Sequence, residues 1–328
     1  MTISVGPLDL DSPVLLAPMS GITDAPFRRL VRQLGGGLTF SEMIASRELV
    51  GASPRSWRMA ERDTATGLHA VQLAGRDPEI MAEAARINAG CGADIIDINM
   101  GCPAKKVVGS LCGSALMREL PLARRIIEAT VNAVSIPVTL KMRTGWDDDS
   151  RNAPELARIA EACGVRMITV HGRTRAQFYS GRPDWQFIRT VKEAVRLPVI
   201  ANGDITTYDD IDICLAQSGA DGIMIGRGAY GRPWFPAHAA TYLSDGVRTD
   251  APTPTARLHL IEQHYDAMLT QQGRALAVRT ARKHLVWYLR DLPGSKATLD
   301  AINREDDPSA VIRLLRALAP QVDLAAAA

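Results

Sequence analysis

Through the first 225 residues, eight short apolar runs alternate with stretches of helical pattern. The runs are Val14-Leu-Leu-Ala-Pro18, Leu38-Thr-Phe-Ser-Glu42, His69-Ala-Val-Gln-Leu73 and Asp94-Ile-Ile-Asp-Ile-Asn99. They continue with Pro137-Val-Thr-Leu-Lys-Met142, Met167-Ile-Thr-Val-His171, Pro198-Val-Ile-Ala-Asn202 and Asp221-Gly-Ile-Met-Ile-Gly226. Each is too short for a helix and is bounded by Gly, Pro or Asp. Between them, Asp77-Pro78-Glu79 supplies a cap, a first-turn proline and an acid, and the helix behind it can stop at Gly90 or Gly92. Residues 121–134, 154–163, 184–195 and 207–217 have the same character. Such alternation requires a parallel sheet with helical crossovers. Eight units predict an α/β fold, a (β/α)8 TIM barrel, with an open doubly wound sheet as the competitor. After about residue 245 the pattern changes: Thr249-Asp-Ala-Pro-Thr-Pro-Thr255 reads as a linker, and from Ala256 onward only helix is expected. The expected division is a barrel over residues 1–245 and a small all-helical C-terminal domain over 246–328, with Ala325–Ala328 as a frayed tail.

Bulk properties exclude several classes. With 328 residues, 46% hydrophobic and 23% charged, the chain is globular rather than disordered. Its net charge of +2, from 38 basic and 36 acidic residues, means that any nucleic-acid surface must be local. No apolar run is long enough to span a membrane, and the first residues lack a signal-peptide core. The five cysteines are scattered without a CxxC pair, so no metal site and no disulfide framework is expected. A reducing cytoplasm fits these features best, and a monomer is expected.

A barrel's active site lies at the carboxyl ends of its strands, and here those ends are polar. The first ends in Ala17-Pro18-Met19, the third in Gln72, the fourth in Asn99; the fifth carries Lys141 and Arg143, the sixth His171, the seventh Asn202-Gly203-Asp204, and the eighth Gly226-Arg227. Any one of these could be an ordinary strand-end residue; together they predict a site for a large polar ligand. Barrels often hold phosphate after strands seven and eight, where Asn202-Gly203-Asp204 and Gly226-Arg227-Gly228 fall. Gly226-Arg-Gly-Ala-Tyr-Gly231 also matches a dinucleotide-binding GxGxxG. Pro233 and Pro236 interrupt the helix that motif needs, and no strands follow. Lys141 suits either a Schiff base or the stabilisation of negative charge on a reduced flavin, and the local residues do not decide between them.

Cys91, Cys163 and Cys214 fall on helical stretches and read as small buried hydrophobes. Cys102 lies instead on a rim loop, between Gly101 and Pro103 and next to Lys105 and Lys106, with the Gly/Ser-rich segment 109–114 nearby suited to a loop that moves. Position alone does not separate a nucleophile from a general acid; the former needs a depressed pKa and usually a histidine base.

Six segments in order resemble the tRNA-dihydrouridine synthases, most closely the bacterial B-type branch. They are Ala17-Pro-Met-Ser-Gly-Ile-Thr-Asp24, Asp97-Ile-Asn-Met-Gly-Cys-Pro-Ala-Lys-Lys106, Thr139-Leu-Lys-Met-Arg-Thr-Gly145, His171-Gly-Arg-Thr-Arg175, Ala201-Asn-Gly-Asp204 and Met224-Ile-Gly-Arg227. The resemblance covers nearly the whole chain. It implies a flavoenzyme that holds FMN, uses NADPH as reductant and reduces the C5–C6 bond of specific uridines in tRNA. By the same resemblance Ala17, Pro18, Met19 and Gln72 contact the isoalloxazine, Lys141 lies near its N1/O2 edge and His171 near the cofactor. Asn202, Gly203, Asp204, Gly226 and Arg227 hold the ribityl phosphate. Asn99 bonds the target uracil, and Cys102 gives a proton to C5 while C6 receives hydride. That role requires Cys102 to remain a thiol, with Lys105 and Lys106 turned towards solvent or RNA.

The acid-free stretch 275–290 places Arg279, Arg282, Lys283 and Arg290 on one helical arc beside Val278, Ala281, Leu285, Tyr288 and Leu289. A basic stripe beside an apolar face suits phosphate contacts, although a solvated charged face would look the same. Arg143, Arg173, Arg175 and Tyr179 are further candidate contacts near the pocket. Two rivals remain: a flavin barrel acting on a small pyrimidine, which would not need the basic helical segment, and a tRNA-binding protein without catalysis.

Overall fold

The computed structural model describes residues 2–63 and 67–326, with side chains as far as residue 320. Ten strands run β1 Ile3–Val5, β2 Leu8–Leu10, β3 Val14–Leu16, β4 Ile44–Ala45, β5 Ala70–Ala74, β6 Ile95–Met100, β7 Val138–Arg143, β8 Met167–His171, β9 Val199–Asn202 and β10 Gly222–Ile225. The last eight form one parallel sheet in the order β3-β10-β9-β8-β7-β6-β5-β4. Bridges Leu16↔Thr39 and Phe40↔Ala70 join its two edges, so the sheet closes into the expected TIM barrel.

Strand alternation divides the interior into two environments. Val14, Leu16, Val71, Ile96, Ile98, Leu140, Val170 and Ile223 face outward into the layer under the helices. Leu15, Ala70, Ile95, Met167, Ile200 and Met224 face the barrel axis near its amino end. Two residues further along the same inward rows stand Ala17, Gln72, Asp97, Thr169, Asn202 and Gly226. The barrel is therefore apolar at its floor and polar at its carboxyl end.

The expected helices are present with their caps. Asp77 accepts from the amides of Glu79 (3.0 Å) and Ile80 (3.2 Å) ahead of the helix Pro78–Gly90. Thr207 and Asp210 form a reciprocal capping box on Tyr208–Ser218, which ends at left-handed Gly219. The GxGxxG segment opens only a three-residue 3-10 turn, Arg227–Ala229, before the helix Phe235–Asp245, which carries a proline in its first turn.

Two features differ from the reading of the sequence. The second expected strand, Leu38–Glu42, is not a regular strand but the two isolated bridges. Ser41 Oγ accepts the Gln72 amide (3.0 Å) where a ladder carbonyl would, and itself donates to the Glu42 carbonyl (2.9 Å). The β1–β2 hairpin was not anticipated; it packs Ile3, Val5 and Leu10 against the floor of the barrel.

Beyond the loop at 246–253 the described chain is helical: Pro254–Gln272, Arg274–Leu289, Ser295–Ile302 and Pro308–Ala326. Ala327 and Ala328, at the end of the expected tail, lie outside the described residues. Ile261, Tyr265, Ala281, Leu285 and Leu315 form a core of their own. Against the barrel, Trp287 stacks on Tyr230 (4.1 Å between centroids, 15° between planes), and Gln272 donates to Asp24 (2.7 Å). His264 and His284 both pack on Phe27, each at 5.5 Å. Burial pushes the Asp24 carboxyl up to about 6. No helix among the described residues is long and apolar enough to cross a membrane.

Candidate active site

At the carboxyl end of the barrel the polar rows enclose a cavity of about 450 Å³. Its walls carry Ala17, Pro18, Met19, Gln72, Asn99, Cys102, Lys141, Arg143, His171, Tyr179, Asn202, Gly203, Asp204, Gly226 and Arg227, all singled out in the sequence. They come from seven of the eight barrel strands or the loops behind them, so only closure of the barrel brings them together.

A relay of hydrogen bonds sets the Cys102 loop. Asp97, fully buried, accepts from Thr139 Oγ1 (2.6 Å) and Gln72 Nε2 (2.7 Å). Gln72 Oε1 accepts from Asn99 Nδ2 (2.7 Å), and Asn99 Oδ1 accepts from the amides of Gly101 (3.1 Å) and Cys102 (2.9 Å). Asn99 therefore keeps one amide proton for a ligand; its oxygen is already engaged in placing Cys102. On the other side, Ser114 donates to the Cys102 carbonyl through N (3.1 Å) and Oγ (2.9 Å), which ties segment 109–114 to the loop. Asp97 was quoted in its motif without a role. Its signal was the two-residue spacing to Asn99, which puts both on the inward face of β6.

Charge is concentrated around this relay. Burial pushes the Asp97 carboxyl up to about 6, against the pull of Thr139, Gln72 and Lys141. Burial, with Arg143 nearby, brings Lys141 down to about 8, and its Nζ donates to Asn202 Oδ1 (3.1 Å). Arg143 is lowered to about 10 by burial and stays charged at neutral pH. It ties the Cys102 loop to the next one, donating from Nε to the Gly101 carbonyl (2.9 Å) and from Nη1 to those of Thr174 (2.8 Å) and Phe178 (2.9 Å). Lys141 and Arg143 both line the cavity beside Cys102. Lys105 and Lys106 are exposed, and Lys106 borders the cavity. Burial first, then four neighbouring cations, hold the His171 imidazole well below its usual range, so it is neutral. Its Nδ1 accepts the Arg173 amide (3.2 Å), which leaves the proton on Nε2.

The segment expected to hold phosphate has an unusual backbone: Gly203 at φ +128° and Asp204 at φ +48°. A Cβ on Gly203 would stand 2.9 Å from Pro183 Cβ, so the position demands glycine. The Asp204 carboxylate lies on the cavity wall. It is clasped by Arg173 and Arg227, and although burial would raise its pKa, those two partners hold it below the ordinary range.

The remaining candidates are placed differently. Arg173 is 1% exposed and belongs to this clasp, donating also to the carbonyls of Ser180 (3.0 Å) and Gly181 (2.5 Å); it does not border the cavity. Arg175 lies over Trp146, 4.6 Å from the ring centre, away from the cavity. The basic stripe is only partly free. Arg282 pairs with Asp306 (2.8 Å), and Lys283 reaches the Gly21 carbonyl at the barrel rim. Arg279 and Arg290 remain exposed without an ion-pair partner among the described residues. Among the cavity residues that were missed are Phe178, 43% exposed at φ +54° and edge-on to Tyr179 (4.7 Å), and Tyr230, which stacks on Trp287. The expectation of αR or β backbone for a bulky residue hides the first, and the second depends on a helix more than fifty residues away.

A closed (β/α)8 barrel with a polar carboxyl-end cavity is the architecture of many enzymes. The family model described as "Dihydrouridine synthase (Dus)" matches residues 15–321, and the chain belongs to that family. A Rickettsia conorii protein called "Probable tRNA-dihydrouridine synthase" is 54% identical over 311 residues, covering 94% of each chain. One so named from Rhodobacter capsulatus is 52% identical over 318 residues, covering 96% of this chain and 97% of its own. "tRNA-dihydrouridine synthase B" of Xanthomonas campestris is 44% identical over 314 residues, covering 96% and 95%. Among solved structures, histamine dehydrogenase from Rhizobium sp. 4-9 superposes with a TM-score of 0.56 at 14% identity, over 81% of this chain. The match spans 50% of that longer protein and concerns the barrel fold.

Proposed function

We propose that this chain reduces the C5–C6 double bond of uridines in tRNA to 5,6-dihydrouridine, using FMN and NADPH. The observation that carries this reading is the gathering of Cys102, Lys141, His171 and Arg227 around one cavity. Family membership and the names of the relatives support it. The residues present fit a flavin phosphate. Gly203 and Gly226 bring backbone to the wall, Arg227 supplies positive charge, and His171 Nε2–H is a neutral donor. Ala17, Pro18 and Met19 provide the apolar edge against which a ring would lie, with Gln72 and Lys141 at its polar rim. FMN bound there supplies the reducing equivalent for C6 of the base, and NADPH renews it.

The chain's own residues do the rest. The free Asn99 N–H orients the base, which has to leave its stack to enter the cavity. Lys141, still protonated below about pH 8, offsets the negative charge that builds on the base. Cys102 Sγ delivers the proton to C5, and the thiolate left behind lies in the field of Lys141 and Arg143. In this reading residues 1–245 carry the chemistry and residues 246–328 dock the tRNA.

The purified protein should absorb near ~450 nm as a flavoprotein does, oxidise NADPH and form dihydrouridine in unmodified tRNA. Cys102→Ala should leave flavin reduction intact while slowing dihydrouridine formation by roughly 10²-fold or more. Turnover of free uracil or orotate with none on tRNA would refute the substrate. Undiminished dihydrouridine formation by the variant would refute the proton donor.

A further inference from the structure

The C-terminal helices hold a second, open cavity of about 560 Å³, bordered by Arg290, Gly294, Ser295, Lys296, Ala297 and Asp300 among others. The helix Ser295–Ile302 begins at this cavity without a side-chain cap, because its N-cap is Gly294 in the left-handed region (φ +70°). The Ser295 amide is taken by the Leu292 carbonyl (3.3 Å), but the amides of Lys296 and Ala297 make no hydrogen bond outside their helix. Ser295 is only 5% exposed, borders the cavity and has a hydroxyl with no partner among the described residues. Arg290 and Lys296 are both exposed and lack a carboxylate partner among the described residues. Asp300 is the one acid on the wall, so the lining has a net positive charge.

Free amides at a helix start, an unused hydroxyl and two unpaired cations make a seat for a tetrahedral oxyanion. We infer that this cavity binds a backbone phosphate of the RNA substrate, which rests on the functional reading above. A free phosphate ion would share the chemistry, but the seat does not stand alone. Arg279 precedes Arg290 by eleven residues, which returns to the same helical face about 16 Å away. The two unpaired cations of that face therefore point along a line that ends at the seat, as a polyanionic strand requires.

The test uses the full-length protein and an unmodified tRNA transcript. Lys296→Glu and Arg290→Gln should each weaken binding about tenfold and reduce the slope of log K against log salt by about one for each phosphate no longer neutralised. KM for tRNA should rise with kcat within about twofold. Thermal stability of Lys296→Glu should be unchanged or higher, since an acid in the first turn suits the helix, so weakened binding cannot be ascribed to misfolding. Unaltered affinity and slope in both variants would overturn the seat, as would millimolar inorganic phosphate stabilising the wild type alone while tRNA affinity stays equal. Wild-type protein that binds the transcript but forms no dihydrouridine overturns the functional reading; wild type that forms it, with unchanged variants, overturns only the seat.

Discussion

Asp97 is a buried carboxylate whose charge the fold tolerates for the sake of its neighbours, and Asp97→Asn exposes that trade. The carboxyl rises from 3.8 to about 6 on folding, roughly two units, or about 3 kcal/mol at 1.36 kcal/mol per unit. The sign follows from proton linkage. A raised carboxyl pKa means that the native state binds more protons than the unfolded one between about 4 and 6. Its stabilising contribution is complete below 3.8 and lost as pH rises through about 6. Asparagine has no charge to desolvate and can still accept from Gln72 while donating to Thr139 Oγ1. In cofactor-free protein the variant should thus be up to about 3 kcal/mol more stable than wild type at pH 8, with the advantage shrinking below about 1 kcal/mol at pH 4. Urea unfolding at the two pH values measures both differences. Activity should move the other way. Asp97 supports the Lys141 ammonium, so the alkaline limb of the pH–rate profile, expected near 8 for Lys141, should shift to lower pH. A variant that is no more stable at pH 8, or whose advantage is the same at pH 4, would refute the argument that burial dominates this carboxyl.

Other outcomes can be read directly. Asn99→Ala removes three hydrogen bonds and strands the buried Gln72 Oε1; it should cost about 2–4 kcal/mol by urea titration and slow dihydrouridine formation more than flavin reduction. Gly231 sits at φ +67°, and a Cβ there would lie 2.3 Å from the Trp287 carbonyl oxygen. Gly231→Ala should therefore lose about 2–4 kcal/mol in thermal unfolding and alter the near-UV signal of Trp287. Arg279→Glu should weaken tRNA binding with unchanged stability, whereas Lys283→Glu should lower the melting temperature, because Lys283 holds the Gly21 loop. Equal melting temperatures for the two would contradict that distinction.

The barrel was legible because its information is local. Eight β-rich runs, prolines at helix starts and Asp77 or Thr207 as caps all lie within a few residues of the structure they dictate. The cavity's membership followed, since the carboxyl ends of parallel strands meet wherever a barrel closes. What escaped depends on what a side chain meets. Ser41 reads as an ordinary strand residue until its hydroxyl replaces a ladder acceptor. The Arg279–Arg290 arc was drawn correctly as a helical face, but nothing in its periodicity shows that Asp306 and Gly21 already occupy Arg282 and Lys283. Asp204 looks like part of an anion site from its neighbours in sequence and becomes a clasp between two arginines only when β8 and β10 stand beside β9.

The stack of Tyr230 on Trp287 makes one aromatic pair belong to two tasks. Tyr230 faces the cavity in which a base would be reduced, and Trp287 belongs to the helix that carries Arg279 and leads to Arg290. In the proposed reading, an RNA strand gripped along that helix would be measured against the cavity by this aromatic spacer, so that the nucleotide presented would depend on how many phosphates fit between grip and pocket rather than on the letters in between.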